Sequence, residues 1–298
     1  RYFVYDSKKA GSQTISHLRF GPEPIFSTYL INMADFIACH QFNFVDKYDS
    51  LSNIKKGGTF LLNSPFSNEE IWDELPQKMQ EKIVENELEF YVIDATKVAR
   101  DVNLGKRTNT ILQTCFFAIS GVLPKNEAIQ RIKDAIVKSY SKKGDKIVKM
   151  NFDAVDQSLE NLQKVIYPLK TTNTRELKPM MTGTEDPFVK EILGKILAGM
   201  GDELPVSAFP IDGTFPTGTT QFEKRGIADF IPVWDDADIC TQCNKCVAIC
   251  PHAAIRAKVL SNEELEDAPS SLKTVSAKGR PFSSEKESYV LQVSPEDC

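Results

Sequence analysis

Across residues 1–170, short apolar runs alternate with stretches whose hydrophobic positions recur at three- and four-residue spacing. Tyr2-Phe3-Val4-Tyr5 and Phe36-Ile37-Ala38-Cys39 have the length of strands. Gly58-Thr59-Phe60-Leu61-Leu62 and Leu88-Glu89-Phe90-Tyr91-Val92-Ile93 add the β-branched and aromatic residues that favour a pleated surface. Between these two, Ser67-Asn68-Glu69-Glu70 offers a helix cap with acids in the first turn, and Ile71, Trp72 and Leu75 follow at helical spacing. Ala128, Ile129, Ile132, Ala135, Ile136 and Tyr140 form a longer stripe, the apolar face of a helix that Gly144 ends. Strands alternating with helices need crossover connections, which predicts an α/β region with a mostly parallel sheet covered by helices.

This texture stops near Thr171. From 171 to 225 Pro, Gly, Thr and Met become frequent, and one short helix, Phe188 to Ala198, interrupts an extended linker laid over a neighbouring surface. Residues 226–298 carry five of the seven cysteines and form a third section. The domains expected are therefore 1–170, 171–225 and 226–298. With 41% hydrophobic residues the chain of 298 can bury a sizeable core. Its 36 basic and 41 acidic residues are scattered, which argues against nucleic acid or an anionic membrane as partner. The longest apolar stretch, Cys115 to Leu123, is half a membrane span and includes Ser120 and Gly121. The chain opens on Arg1 rather than Met and stops on Cys298, and it reads as an internal piece of a longer polypeptide.

The sharpest chemical signal is Cys240-Thr-Gln-Cys243-Asn-Lys-Cys246-Val-Ala-Ile-Cys250-Pro251. Three thiolates stepped two residues apart can wrap one corner of an iron–sulfur cubane, with the intervening N–H groups turned toward its sulfides. In two-cluster ferredoxins the fourth Cys of such a run serves the other cluster. Cys240, Cys243 and Cys246 are thus expected on one 4Fe–4S cluster and Cys250 on a second, whose next run would begin at Cys298. Zinc favours separated pairs or Cys/His mixtures, and closely spaced cysteines pair badly as disulfides, so both fit less well. Thiols held for metal imply a reducing compartment. Cys39 and Cys115 lie in apolar runs, where buried, inert thiols are expected. His17 and His40, beside apolar runs, read as hydrogen-bonded structural imidazoles, and His252 follows the Cys-Pro turn, where it could tune a cluster.

Several stretches resemble pyruvate:ferredoxin (flavodoxin) oxidoreductase, or pyruvate synthase, of the large single-chain type. They are Tyr5-Asp6-Ser7-Lys8-Lys9-Ala10-Gly11 with Ser16-His17-Leu18-Arg19-Phe20-Gly21, then Ile37-Ala38-Cys39-His40-Gln41 and Gly57-Gly58-Thr59-Phe60-Leu61-Leu62-Asn63-Ser64-Pro65. Gln113-Thr114-Cys115-Phe116-Phe117-Ala118, Phe215-Pro216-Thr217-Gly218-Thr219-Thr220 and the cysteine ladder with Pro251-His252-Ala253-Ala254-Ile255-Arg256 continue in order. The resemblance implies a coenzyme A-docking middle domain, a linker and the first half of a two-cluster, bacterial-ferredoxin-like α+β domain. It implies oxidative decarboxylation of pyruvate with coenzyme A to acetyl-CoA and CO2, with electrons leaving singly through 4Fe–4S clusters to ferredoxin or flavodoxin. Thiamine diphosphate and Mg2+ would be bound outside this stretch, and the piece alone would be inactive. A homodimer is implied for the intact enzyme, in the cytoplasm or in a hydrogenosome-like organelle of an anaerobic protist. The alternative is a stand-alone electron-carrier module, an α/β domain fused to a ferredoxin, with no chemistry of its own.

For coenzyme A the residues themselves offer two anion-binding features. Lys8 and Lys9 lie in a turn directly after a strand candidate, and loops after strand ends are where α/β sheets bind ligands. Gly105-Lys106-Arg107-Thr108-Asn109 precedes a helix whose N-terminus would favour phosphate, with Thr108 or Asn109 as its cap. The resemblance carries coenzyme A contacts onto Lys8, Asn109 and Asn151.

Overall fold

The computed structural model describes residues 2–5, 13–26, 30–224, 226, 228, 230–282 and 286–298. The chain divides into two compact units, one comprising Gln13–Phe215 with the strand at 2–5, the other running over Pro216–Cys298.

In the first unit β1 (Tyr2–Tyr5) and β2 (Thr14–His17) pair antiparallel by themselves. The main sheet has the order β3 (Ala34–Cys39), β4 (Ile54–Asn63), β5 (Glu89–Ile93), all parallel, closed by the two-residue antiparallel edge strand β6 (Gln163–Lys164). Phe60-Leu61-Leu62 is apolar at every position because both faces of β4 are covered. Phe60 and Leu62 join Phe90 and Val92 against Ile71, Trp72, Leu75, Met79 and Ile83. Phe60 pairs with Phe90 in register, and their rings stack at 5.1 Å. Leu61 and Ile93 face the other way, onto Ala95, Val98, Ile111, Leu112, Cys115 and Ala154. That second face is built by α2 (Ala95–Asp101), α3 (Asn109–Ile119) and α5 (Asp145–Asn161). The stripe from Ala128 to Tyr140 is α4 (Lys125–Tyr140), with Ala128, Ile132 and Ile136 buried.

The segment after Ser67 departs from the sequence reading. Ile71–Glu74 is a single 3-10 turn, and the regular helix is α1 (Gln77–Glu85). The cause is Pro76: the residue before a proline is driven out of the helical region, and Leu75 is extended at φ −85, ψ 140. Ile71, Trp72 and Leu75 still face the core.

Part of the Pro/Gly-rich stretch is tied to this unit by hydrogen bonds. The Gln80 carboxamide, fully buried on α1, accepts from Thr172 N–H at 2.9 Å and Asn173 N–H at 3.1 Å and donates to the Trp72 carbonyl at 2.6 Å. Arg175 pairs with Asp46, and Lys178 N–H donates to the Asp46 carbonyl at 2.7 Å. Further on, Phe188–Leu193 winds as a π-helical turn that runs into α6 (Gly194–Leu197).

The second unit is small and antiparallel. After α7 (Lys245–Ile249), β7 (Ile255–Ser261) leads into α8 (Asn262–Leu265), whose start carries a reciprocal capping box between Ser261 and Glu264. β8 (Val275–Ser276) and β9 (Glu287–Val293) complete a sheet of order β7-β9-β8. Short helices on a small antiparallel sheet give the α+β, ferredoxin-like class expected. Among the described residues, no helix is long and apolar enough to cross a membrane.

Candidate functional site

The cysteine run leaves regular structure because two of its spacer residues are left-handed. Gln242 has φ +57 and Asn244 φ +56, and α7 starts immediately after Asn244. Such angles are uncommon outside glycine. Here each left-handed residue is held by its own side chain. Gln242 Nε2 donates to the Ser276 carbonyl at 2.8 Å, and its Oε1 accepts from Lys278 N–H at 2.8 Å. Asn244 Oδ1 accepts from the Tyr289 hydroxyl at 2.7 Å. Lys278 Nζ also donates to the Cys240 carbonyl at 3.1 Å. The loop is thus pinned onto β8, β9 and the segment between them.

Backbone N–H groups surround the thiols. Gln242 N–H donates to Cys240 Sγ at 3.4 Å. Lys245 N–H, and after it the Thr241 hydroxyl, hold the Cys243 thiol below its ordinary pKa. Cys250 is likewise lowered by the N–H groups of Ile255, His252, Ala254 and Ala253, and Ala253 is itself left-handed at φ +52. Successive N–H groups converging on one atom make an anion-binding nest. Tyr289, 4% exposed, lies close enough to Cys240, Cys246 and Cys243 that their negative charge adds to burial in raising its hydroxyl pKa. The Trp234 ring stands edge-on to Tyr289 at 5.9 Å, and its buried indole N–H has no partner among the described residues.

Cys240, Cys243 and Cys246 therefore gather about one tyrosine, while Cys250 sits in its own nest. Cys298 ends a 3-10 turn, Pro295–Asp297, just beyond β9. Ser294 N–H donates to the Ala254 carbonyl at 2.8 Å, so this turn and the Cys250 nest adjoin the same end of the β7–β9 ladder. No three Cys, His, Asp or Glu side chains among the described residues close on a point that would hold one ion. The donor set, soft thiols amid N–H groups with an orphaned indole donor nearby, is one that fits a sulfide-bearing cluster.

The coenzyme A candidates fare unequally. Lys8 lies outside the described residues. The argument that placed it after a sheet strand does not carry over, because β1 belongs to the separate antiparallel pair rather than to the parallel sheet. Asn109 is the exposed first residue of α3, with Thr108 as N-cap making no side-chain cap bond. Asn151 on α5 is buried: its Oδ1 accepts from Thr110 Oγ1 at 3.3 Å and its Nδ2 donates to the Ile147 carbonyl at 2.8 Å. Asn109 and Asn151 thus meet at one place, the first turn of α3, whose leading N–H groups have no partner within the helix. Lys106 and Arg107 lie just before it.

Cys39 and Cys115 are buried in the first unit, and desolvation pushes their thiols up to about 11 and about 12. His17 Nδ1 accepts from Ile31 N–H at 3.1 Å, a structural role, and burial, then the charge of Arg19, lowers its pKa. Burial alone lowers that of His40. His252 presents its backbone N–H to Cys250. Gln242, Asn244, Tyr289 and Trp234 surround the cysteine loop of the candidate site, and the sequence alone does not single them out. Asn between ladder cysteines was a readable hint, since Asn tolerates left-handed backbone. Tyr289 gave none, being 45 residues away along the chain.

A family model described as pyruvate ferredoxin/flavodoxin oxidoreductase matches residues 1–161, more than half the chain. The chain belongs to that family. A model for a domain of unknown function matches residues 174–228, and a 4Fe-4S binding domain matches 231–255, which contains the pinned cysteine loop. Among curated relatives, pyruvate-flavodoxin oxidoreductase of Nostoc sp. is 52% identical over all of this chain and 25% of its own length. The enzyme of the same name from Rhodospirillum rubrum is 51% identical with the same two coverages. Pyruvate:ferredoxin oxidoreductase of Moorella thermoacetica is also 51% identical, again over 100% of this chain and 25% of that protein. The chain spans about a quarter of the length of the curated relatives it matches.

Proposed function

We propose that the chain is the coenzyme A-docking and first electron-transfer portion of an enzyme that oxidises pyruvate with coenzyme A to acetyl-CoA and CO2. The observation that carries this reading is the cysteine loop, whose thiols face backbone N–H groups in a chain of this family. A 4Fe–4S cluster, when bound, supplies one-electron transfer at a potential set by its surroundings. Cys240, Cys243 and Cys246 would hold one cluster; Cys250 and Cys298 would supply ligands to a second. The N–H groups on Cys243 and Cys250 lower their pKa values and so raise the share of thiolate, the form that ligates iron.

The first turn of α3 would take a phosphate of coenzyme A: uncapped N–H groups and the positive end of the helix favour an anion. Asn109 is exposed there for direct contact, whereas Asn151, already bonded through both polar atoms, would hold Thr110 and the turn in place. Lys8 would add a cation by the family resemblance. Thiamine diphosphate and Mg2+ complete the chemistry in this reading, and no residue of this chain is assigned to them. Ferredoxin or flavodoxin would accept the electrons from a homodimeric, cytoplasmic enzyme. The test is viologen-dye reduction by the complete polypeptide under anaerobic conditions. Reduction should require both pyruvate and coenzyme A, and the KM for coenzyme A should rise several-fold in Asn109→Ala. Dye reduction without pyruvate dependence would refute the reading.

A further inference from the structure

The cysteine loop is pinned by groups that come from far along the chain rather than from the ladder itself. Its left-handed residue Asn244 stands between Cys243 and Cys246, so its conformation sets the direction in which those two thiols leave the backbone. The Asn244 carboxamide is bonded to the hydroxyl of Tyr289, a residue 4% exposed in the central strand β9 and backed edge-on by Trp234. The tyrosine ring packs on Trp234 and its hydroxyl bonds Asn244, so the bond joins the central strand to the cysteine loop. Gln242 makes the equivalent tie to β8 and Lys278.

We propose that Tyr289 is a positioning residue for the cluster held by Cys240, Cys243 and Cys246, acting through its hydrogen bond to Asn244 to fix the ligand loop. The proposal rests on the iron–sulfur reading above. Its physical content is preorganisation: the loop keeps its ligand-ready shape through protein–protein bonds, so a cluster ligand that opens re-forms before iron escapes. Tyr289 does not ligate, and its hydroxyl is committed to Asn244.

The test uses the complete polypeptide, purified without air, as wild type, Tyr289→Phe, Asn244→Ala and the double variant. Iron release to an excess of chelator is followed by visible absorbance, and the EPR line shape of the reduced clusters is recorded. Tyr289→Phe should release one cluster's worth of iron about fivefold faster, the factor that one neutral hydrogen bond allows. It should also broaden that cluster's EPR signal, which a general loss of stability would not alter. In the Asn244→Ala background, removing the hydroxyl should have no further effect on the release rate, because its partner is already gone. An unchanged rate in Tyr289→Phe, or an equal acceleration in both backgrounds, would overturn the proposal. A wild-type protein without iron would instead overturn the iron–sulfur reading on which it stands.

Discussion

Replacing Gln80 by leucine isolates the hydrogen bonds that hold the 172–173 segment to the first unit. The substitution removes the carboxamide, leaves a branched apolar side chain one atom shorter, and keeps a good helix former on α1. Four bonds are lost: to Trp72 O at 2.6 Å, from Thr172 N at 2.9 Å, from Asn173 N at 3.1 Å and a long one to Thr172 Oγ1 at 3.4 Å, whose hydroxyl stays bonded to Asp73. At about 1 kcal/mol net for each of the three shorter bonds, the loss is ~3 kcal/mol. Two effects reduce it. The Trp72 carbonyl keeps a second donor, Leu75 N–H at 3.3 Å, and is not orphaned. The buried leucine also returns part of the difference as apolar burial. The expected net destabilisation is about 2 kcal/mol. The chain has two tryptophans, Trp72 in the first unit and Trp234 in the second. Urea unfolding in a Trp234→Phe background, followed by Trp72 fluorescence, therefore reports the first unit alone. The midpoint should fall at unchanged slope, and trypsin should cut faster after Arg175. A midpoint within error of the parent, with no change in tryptic cleavage, would refute the claim that Gln80 anchors this segment.

Thiol reactivity offers a second check. In cluster-free protein near neutral pH, Cys243 and Cys250 have depressed pKa values and carry more thiolate, whereas Cys39 and Cys115, raised to about 11 and about 12, carry almost none. Mass spectrometry after brief iodoacetamide treatment should find the first pair alkylated and the second untouched; modification of Cys115 before Cys250 would contradict this. The first half of β4, where its register against β3 shifts, offers a third. A Cβ on Gly58 would lie 2.9 Å from Ile54 Cγ1 and 2.9 Å from the Lys55 carbonyl. Gly58→Ala should therefore cost roughly 1–3 kcal/mol of first-unit stability in the same urea assay, and a neutral result would show that the strand relaxes freely.

The parts of the fold that were legible from sequence are those dictated by local pattern. Gly58-Thr59-Phe60-Leu61-Leu62 reads as a strand because its run is short, apolar and rich in β-branched and aromatic residues, and the structure covers it on both faces. The Ala128–Tyr140 stripe reads as a helix because its period matches one face. Where a single residue overrides the pattern the reading slipped: Pro76 splits an expected helix into a 3-10 turn and α1. Strand pairing is also invisible locally, since nothing in Tyr2–Tyr5 says that it pairs with Thr14–His17 rather than joining the parallel sheet. The same division holds at the site. Cysteine spacing shows four candidate ligands within eleven residues of chain. The tie from Asn244 to Tyr289 is a long-range contact that only folding reveals.

The central claim is that the 240–250 loop holds an iron–sulfur cluster. Iron and acid-labile sulfide counted per chain, in the complete polypeptide purified without air, test it most directly when wild type is compared with Cys243→Ser. The account predicts equal iron and sulfide in the wild type and a loss of about four of each in the variant, one cubane's worth. A variant with the same iron and sulfide content as the wild type would contradict it.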